Sequence, residues 1–267
     1  MRLCSYEGKL NNLVNLLREM ESAVIAYSGG VDSTFLLKVA TLSDIKAMAV
    51  TALSPTMPEH DFYNAKEMAR AMGVVHMIIE ISELEMGDFA KNPPDRCFYC
   101  KDGLFGRLKE IATAEGYRVV LDGSNLDDID DWRPGRKAAV KHGVRSPLIE
   151  AGLRKQEIRE LSRELNLPTW NRPSSPCLSS RFPYGEPITI EALRQVEEAE
   201  KFLRSLSFND FRVRHHRDIA RIELKEGDIP RMLEPEIRKV IAEKLKTLGY
   251  KFVTLDLEGF RSGRLNG

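Results

Sequence analysis

The chain has 267 residues, enough for one large domain or a medium domain with a smaller partner. Forty Lys and Arg balance forty Asp and Glu, so no global field draws in nucleic acid, and no apolar stretch approaches the ~20 residues of a membrane span. MRLCSYEGKL lacks the apolar core of a signal peptide, and Cys4, Cys97, Cys100 and Cys177 are too few and uneven for a secreted disulfide scaffold, so a cytoplasmic location is expected.

Leu10 to Met20 reads as a short amphipathic helix, and SAVIAY after it as a buried parallel strand. The pattern repeats: helix Thr34 to Leu42, strand IKAMAVTAL, helix Glu59 to Met72, strand VVHMIIEI, helix Lys101 to Glu115, strand YRVVLDG. Such alternation predicts an α/β fold, a parallel sheet with helices on both faces, over residues 1–167, with ligands at the carboxyl ends of the strands. Pro168 to Pro187 holds five of the thirteen prolines and reads as a loop carrying Cys177. Residues 188–267 follow as a small α+β domain: a helix from Thr189 to about Ser205, strands FRVRHH and IARIEL, a helix Pro235 to Leu248 and a last strand KFVTLDL.

SGGVDS, Ser28 to Ser33, lies between the first strand and a helix, where free N–H groups and the helix dipole make an anion cradle. Gly29 and Gly30 allow close approach of the main chain, and Ser28 and Ser33 add hydroxyls. The lysine of a GxxxxGK[ST] loop is missing, which argues against transfer of a terminal phosphoryl group. The plainer alternative is a tight turn with Asp32 as a helix-start residue. The string resembles the PP-loop of the N-type ATP pyrophosphatases, which cleave ATP between the α- and β-phosphates and adenylate a substrate oxygen. LDGSNLDD, Leu121 to Asp128, resembles the G-T-x-N segment of that superfamily, with Gly123 beside the nucleotide, Ser124 in the usual threonine position and Asp128 where a glutamate often helps hold magnesium. Asp32 and Asp128 are therefore candidates for Mg2+, with capping and turn roles as the alternative.

Cys97 and Cys100 form a CxxC pair in PPDRCFYCK, and Cys177 stands alone in PSSPCLSSRFPYG. Three thiolates are one short of a closed Cys4 zinc site but can hold a 4Fe–4S cluster with one iron open. A redox dithiol, zinc and unrelated buried thiols remain alternatives on the residues alone. Cys4 has no partner in these schemes and reads as an incidental thiol. RCFYCK, GSNLDDIDDWRPGRKA, PCLSSRFPYG and FRVRHH, with the PP-loop, resemble the LarE family in order and spacing across nearly the whole chain. The resemblance implies ATP-dependent adenylation of a carboxylate of pyridinium-3,5-biscarboxylic acid mononucleotide and its conversion to a thiocarboxylate, for the nickel-pincer nucleotide cofactor of lactate racemase. It implies one of two sulfur strategies. In one, Cys177 surrenders its own sulfur and is left as dehydroalanine. In the other, Cys97, Cys100 and Cys177 hold a 4Fe–4S cluster that relays added sulfide from a donor. The three-cysteine pattern favours the cluster.

On a strand, FRVRHH places Arg212, Arg214 and His216 on one face, opposite Phe211 and Val213. The resemblance implies that Arg212 and Arg214 grip the substrate phosphate; a solvated strand face is the alternative. Arg181, four residues after Cys177, is expected beside the nucleotide or the cluster. Arg133 and Arg136 could meet substrate acids or pair with neighbouring aspartates, and Trp132 and Trp170 could stack or simply pack. Glu200, Glu223 and Asp228 match positions that bind metal between subunits in some members of the family, which also suggests a homo-oligomer. A tRNA thiolase is the rival enzyme, and it needs a basic groove that the neutral charge balance does not favour. A non-catalytic ATP sensor is the rival from another class.

Overall fold

The computed structural model describes residues 6–86, 88–129 and 134–261. They fall into two compact units, one of Met1–Phe89 with Asp95–Ser175 and the other of Ala90–Pro94 with Pro176–Gly267. The division lies inside the proline-rich stretch, two residues before Cys177, rather than at either end of it.

In the first unit α1 (Glu7–Met20) leads into β1 (Ser22–Ala26), followed by α2 (Val31–Leu42), β2 (Lys46–Leu53), α3 (Glu59–Ala71), β3 (Val75–Glu80), α4 (Arg96–Ala114) and β4 (Val119–Leu121). Helices α5 (Gly135–His142), α6 (Pro147–Glu150) and α7 (Lys155–Glu164) complete it. The strands form one parallel sheet in the order β3-β2-β1-β4, with Ala23 opposite Ala47 and Val119. The apolar run SAVIA is explained by cover on both faces. The pleat sends Ala23 and Ile25 into a core with Leu13, Leu17, Phe35, Leu36, Ile158 and Leu161, and Val24 into a second core with Met48, Phe105, Leu108 and Ala138. Each fully buried side chain of this size contributes roughly 1.5–3 kcal/mol through apolar burial.

The chain passes from β1 to β2 on one side, then returns to lay β4 on the other side of β1. Such a switch point opens a crevice at the carboxyl ends of β1 and β4, where α/β sheets place their ligands. SGGVDS follows β1 and DGSN follows β4. Three helices start earlier than the sequence suggests, α1 among them at Glu7 rather than Leu10. The α2 helix begins at Val31, so Asp32 and Ser33 lie in its first turn, and α4 begins at Arg96, so Cys97 and Cys100 are helical.

The second unit consists of α8 (Ile190–Ser205), β5 (Arg212–His216), β6 (Ile219–Glu223), α9 (Ile229–Met232), α10 (Pro235–Thr247) and β7 (Phe252–Leu255). Thr189 caps α8 by accepting the Ala192 N–H at 3.1 Å. The sheet runs β5-β6-β7, the first pair antiparallel and the second parallel. Val213, Ala220 and Ile222 pack with Leu203 and Leu245 beneath it. Before α8, Leu178–Arg181 forms a single 3-10 turn with Cys177 at its N-cap.

Candidate active site

In the first unit the loop after β1 is shaped by its own hydroxyls. Ser28 N–H donates to Ser33 Oγ at 3.3 Å, and the two Oγ atoms lie 3.1 Å apart. Gly29 has φ +69°, and a Cβ there would fall 2.8 Å from Ala65 Cα, so both conformation and space require glycine. Gly123 is constrained by space alone, because a Cβ on it would lie 3.0 Å from the Ser33 amide nitrogen. The structure thus brings Ser28, Gly29, Gly30, Asp32, Ser33 and Gly123 together around one crevice.

Asp122 holds the second turn by accepting from Ser124 N–H at 3.2 Å, Ser124 Oγ at 2.8 Å and Ser146 Oγ at 2.7 Å. Asp128 Oδ2 accepts the Asn125 N–H at 2.9 Å, a turn-capping bond. Asp32 has a partner that the sequence reading missed: Lys155, the first residue of α7, donates from Nζ to Asp32 Oδ2 at 2.5 Å. Asp32 Oδ1 is buried with no hydrogen-bond partner. A buried carboxylate oxygen left open in this way suits a cation. The Lys155 N–H also donates to Asp127 Oδ2 at 2.8 Å; that amide, ahead of Arg154, holds the Asp127 carboxyl below the usual carboxylate range against partial desolvation. No local motif of the sequence marks Lys155 as a partner of the loop 123 residues away. Ile158 and Leu161, buried three residues apart on α7, and the helix-start glutamate Glu157 were the available signal.

A second contact missed from sequence joins the loop to α3. Arg172 donates to Gly29 O at 3.1 Å and pairs with Asp61, which also accepts from Ser175 Oγ. Arg159 of α7 in turn donates to Trp170 O at 2.8 Å and Arg172 O at 2.7 Å. Trp170 lies partly exposed, with the Arg163 guanidinium 5.7 Å from its ring. Arg136 is half-buried on α5; Cys4, Trp132 and Arg133 lie outside the described residues.

Cys97 and Cys100 are thiols in the first two turns of α4, three residues apart and so on neighbouring positions of one face. Cys97 is exposed, whereas Cys100 Sγ donates to the buried Glu83 Oε1 at 3.8 Å. In the second unit Cys177, also a thiol, places Sγ 2.8 Å from Ser179 Oγ. Among the described residues no group of three or more His, Cys, Asp or Glu side chains is placed to hold a metal ion.

Arg181 is 2% exposed, and its guanidinium is engaged within the second unit. It binds Glu200 bidentately at 2.8 and 2.9 Å, and Nη1 donates to Pro176 O at 2.7 Å, Cys177 O at 3.2 Å and Ser180 Oγ at 2.9 Å. The guanidinium expected beside the nucleotide or the cluster is thus occupied by partners of its own unit, two of them the carbonyls around Cys177. Burial alone would destabilise both charges; each outweighs that for the other, so the Glu200 carboxyl falls below its ordinary range and the Arg181 guanidinium rises above.

Arg214 is also buried, donating to Ser180 O and to Glu223 Oε2, each at 2.7 Å, while its Nε has no partner. Glu223 also accepts from Arg221 at 3.1 Å. Arg212 is half-buried, and burial, followed by the charge of Arg181, pushes its guanidinium down to about 10. His216 Nε2 is buried without a partner on the same sheet face. Glu200 and Glu223 are 1% and 0% exposed and already balanced by arginines, so the expectation that they bind metal between subunits does not fit their burial. Asp228 lies at the start of α9.

No family model matches the chain. The pyridinium-3,5-bisthiocarboxylic acid mononucleotide synthase of Lactiplantibacillus plantarum is 42% identical over 97% of this chain and 94% of its own length. The NH(3)-dependent NAD(+) synthetase of Mannheimia succiniciproducens is 26% identical over 60% of this chain and 66% of its own. Among solved structures, NMN synthetase from Francisella tularensis superposes with a TM-score of 0.52, covering 65% of this chain and 76% of that one at 20% identity, a likeness of fold.

Proposed function

The chain belongs to the LarE family, that of pyridinium-3,5-bisthiocarboxylic acid mononucleotide synthase, and from that premise we propose that it activates a pyridinium carboxylate with ATP and replaces one of its oxygens with sulfur. It is an ATP-dependent sulfur-inserting enzyme of the PP-loop type. The observation that carries the reading is the meeting of the SGGVDS loop with Gly123 at the switch point, where a Cβ at residue 123 would lie 3.0 Å from the Ser33 amide nitrogen.

In this reading the N–H groups of Ser28 to Gly30 and the hydroxyls of Ser28 and Ser33 bind the ATP phosphates at the start of α2. Asp32 through its open Oδ1, with Asp128, would hold the Mg2+ that accompanies ATP, and the ion would supply charge neutralisation at the pyrophosphate. The carboxylate oxygen attacks the α-phosphorus, and the bond to the departing pyrophosphate breaks. The Cys177 thiolate then attacks the acyl carbon, AMP leaves with its oxygen, and a thioester remains. Loss of the Cys177 Cα proton with cleavage of Cβ–Sγ gives a thiocarboxylate and dehydroalanine, so the atoms balance without an oxidant. Arg212, whose charge is disfavoured by burial and by Arg181, is relieved by an anion and receives the substrate phosphate, whereas Arg214, expected beside it, is buried and engaged by Ser180 O and Glu223.

A second reading is favoured by the CxxC pair on the opening turns of α4: Cys97, Cys100 and Cys177 would hold a 4Fe–4S cluster, which would supply sulfide from an external donor, as the resemblance implies. The enzyme's product serves the nickel-pincer cofactor of lactate racemase, and the protein works in the cytoplasm as a homo-oligomer, without nucleic acid or membrane. No helix of the described residues is long and apolar enough to cross a membrane.

Anaerobic purification with iron and acid-labile sulfide counts, followed by incubation with ATP and the pyridinium dicarboxylate mononucleotide, tests both readings. Pyrophosphate release with one dehydroalanine at Cys177 per thiocarboxylate supports the first. Bound iron that disappears in Cys97→Ala and Cys100→Ala, with turnover on added sulfide, supports the second. Absence of pyrophosphate release under either condition contradicts both.

A further inference from the structure

We propose that Arg181 and Glu200 are positioning residues for Cys177, forming a buried clamp that grips the Cys177 turn by its main chain and leaves the sulfur itself out of the grip. The clamp's functional meaning rests on the reading of Cys177 as the sulfur-handling residue. Its geometry lies wholly within the second unit.

The clamp is anchored in β5. Glu200 Oε1 accepts the Val213 N–H at 3.1 Å as well as Arg181 Nε at 2.8 Å, so the carboxylate cannot rotate without breaking bonds to the sheet. The bidentate pairing fixes the plane of the guanidinium, and that plane aims Nη1 at the carbonyls of Pro176 and Cys177, the residue before the sulfur donor and the donor itself. Lysine cannot substitute, because one ammonium cannot hold a carboxylate at two points while also reaching two carbonyls in a fixed plane. The other end of the turn is held in the same manner, by Arg214 on Ser180 O with Glu223 behind it.

A buried ion pair is a poor device for stability, since apolar replacements of similar volume often match it. A pair at 2% and 1% exposure, whose remaining nitrogen Nη1 donates to the Cys177 turn while Glu200 also receives Arg204 at 3.4 Å, fits a role in orientation instead. Among the described residues Cys177 Sγ hydrogen-bonds to the hydroxyl of the fully buried Ser179 and takes no hydrogen bond from Arg181, whose charge reaches it through space alone. The turn therefore keeps its shape whether or not the sulfur is present, and the side chain is held at one bond's remove from a fixed backbone.

The test uses the full chain as Arg181→Met/Glu200→Gln, which buries no net charge and keeps an amide oxygen for Val213 N–H, together with Arg181→Lys. Three quantities are read: the thermal transition, the rate of iodoacetamide alkylation at Cys177 mapped by peptide mass, and thiocarboxylate formation alongside pyrophosphate release. The double variant is expected to unfold cooperatively and release pyrophosphate at the wild-type rate. Its Cys177 should alkylate several-fold faster, and its sulfur transfer should fall about 10²-fold, the loss typical of a displaced reacting group. Arg181→Lys should resemble the double variant rather than the wild type. A folded double variant with wild-type alkylation and sulfur transfer overturns the clamp. If alkylation changes as expected while the wild-type protein transfers no sulfur to any pyridinium carboxylate, the clamp stands and the functional reading falls.

Discussion

At the scale of single residues, the two glycines that touch neighbouring elements are the least replaceable positions of the nucleotide crevice. Gly29→Ala must adopt φ +69° and press into Ala65, and the conformational part alone costs about 1–2 kcal/mol. We expect a lower Tm and loss of ATP-dependent pyrophosphate release; wild-type release in the variant would remove the loop from the site. Lys155 belongs to the same crevice through Asp32. Charge-assisted bonds of this kind contribute ~1.5–3 kcal/mol, so Lys155→Met is expected to lower kcat/KM for ATP about tenfold or more. Steady-state pyrophosphate assays at fixed Mg2+ check this, and an unchanged value would leave the pair structural. SGGVDS was legible because glycine spacing reports backbone geometry directly. Lys155 and Arg172 were not, because they reach the loop from residues 123 and 143 positions away, and no local pattern encodes such contacts.

At the scale of elements, the parallel strands and the helices between them could be read from their apolar periods, whereas helix starts could not. CxxC draws attention as a ligand motif, yet Asp95 after two prolines begins α4, and the thiols sit on its opening turns. The rest of α4 supplies Phe105 and Leu108 to the core beneath the sheet. Phe105→Ala should cost ~3–5 kcal/mol, measured by denaturant unfolding; a loss below 1 kcal/mol would contradict the packing, on the scale of buried aromatic truncations. In β5 the adjacent His215 and His216 are both held below their ordinary value of 6.5, chiefly by burial, with Arg221 adding at His216. The unfolded chain takes up these protons first. Stability from the pair is thus present above pH 6.5 and is lost as pH falls through the lower folded values. Thermal melts from about pH 7.5 down to about pH 5 should show a falling Tm that His215→Phe makes shallower.

At the scale of the whole molecule, two kinds of chemistry are written into two separately packed units. The first has the crevice of a nucleotide-activating α/β sheet; the second holds the Cys177 turn on paired buried charges. The sequence suggested an α/β portion and a smaller α+β portion, because one alternates strand and helix and the other groups its strands. It did not reveal that residues 90–94 pack with the second unit, for that depends on bonds such as Asn92 Nδ2 to Pro183 O at 2.7 Å, which no period encodes. Nor did it reveal that Arg181 and Arg214 serve the Cys177 turn, since strand alternation gives a face but not a partner. The central claim is that the first unit transfers AMP to a carboxylate oxygen before sulfur enters. It is tested most directly with a pyridinium dicarboxylate mononucleotide carrying heavy-isotope oxygen in its carboxylates, incubated with ATP and analysed by mass spectrometry. The account expects one heavy oxygen in the released AMP for each sulfur gained by the substrate. Unlabelled AMP, or label in inorganic phosphate instead, would contradict it.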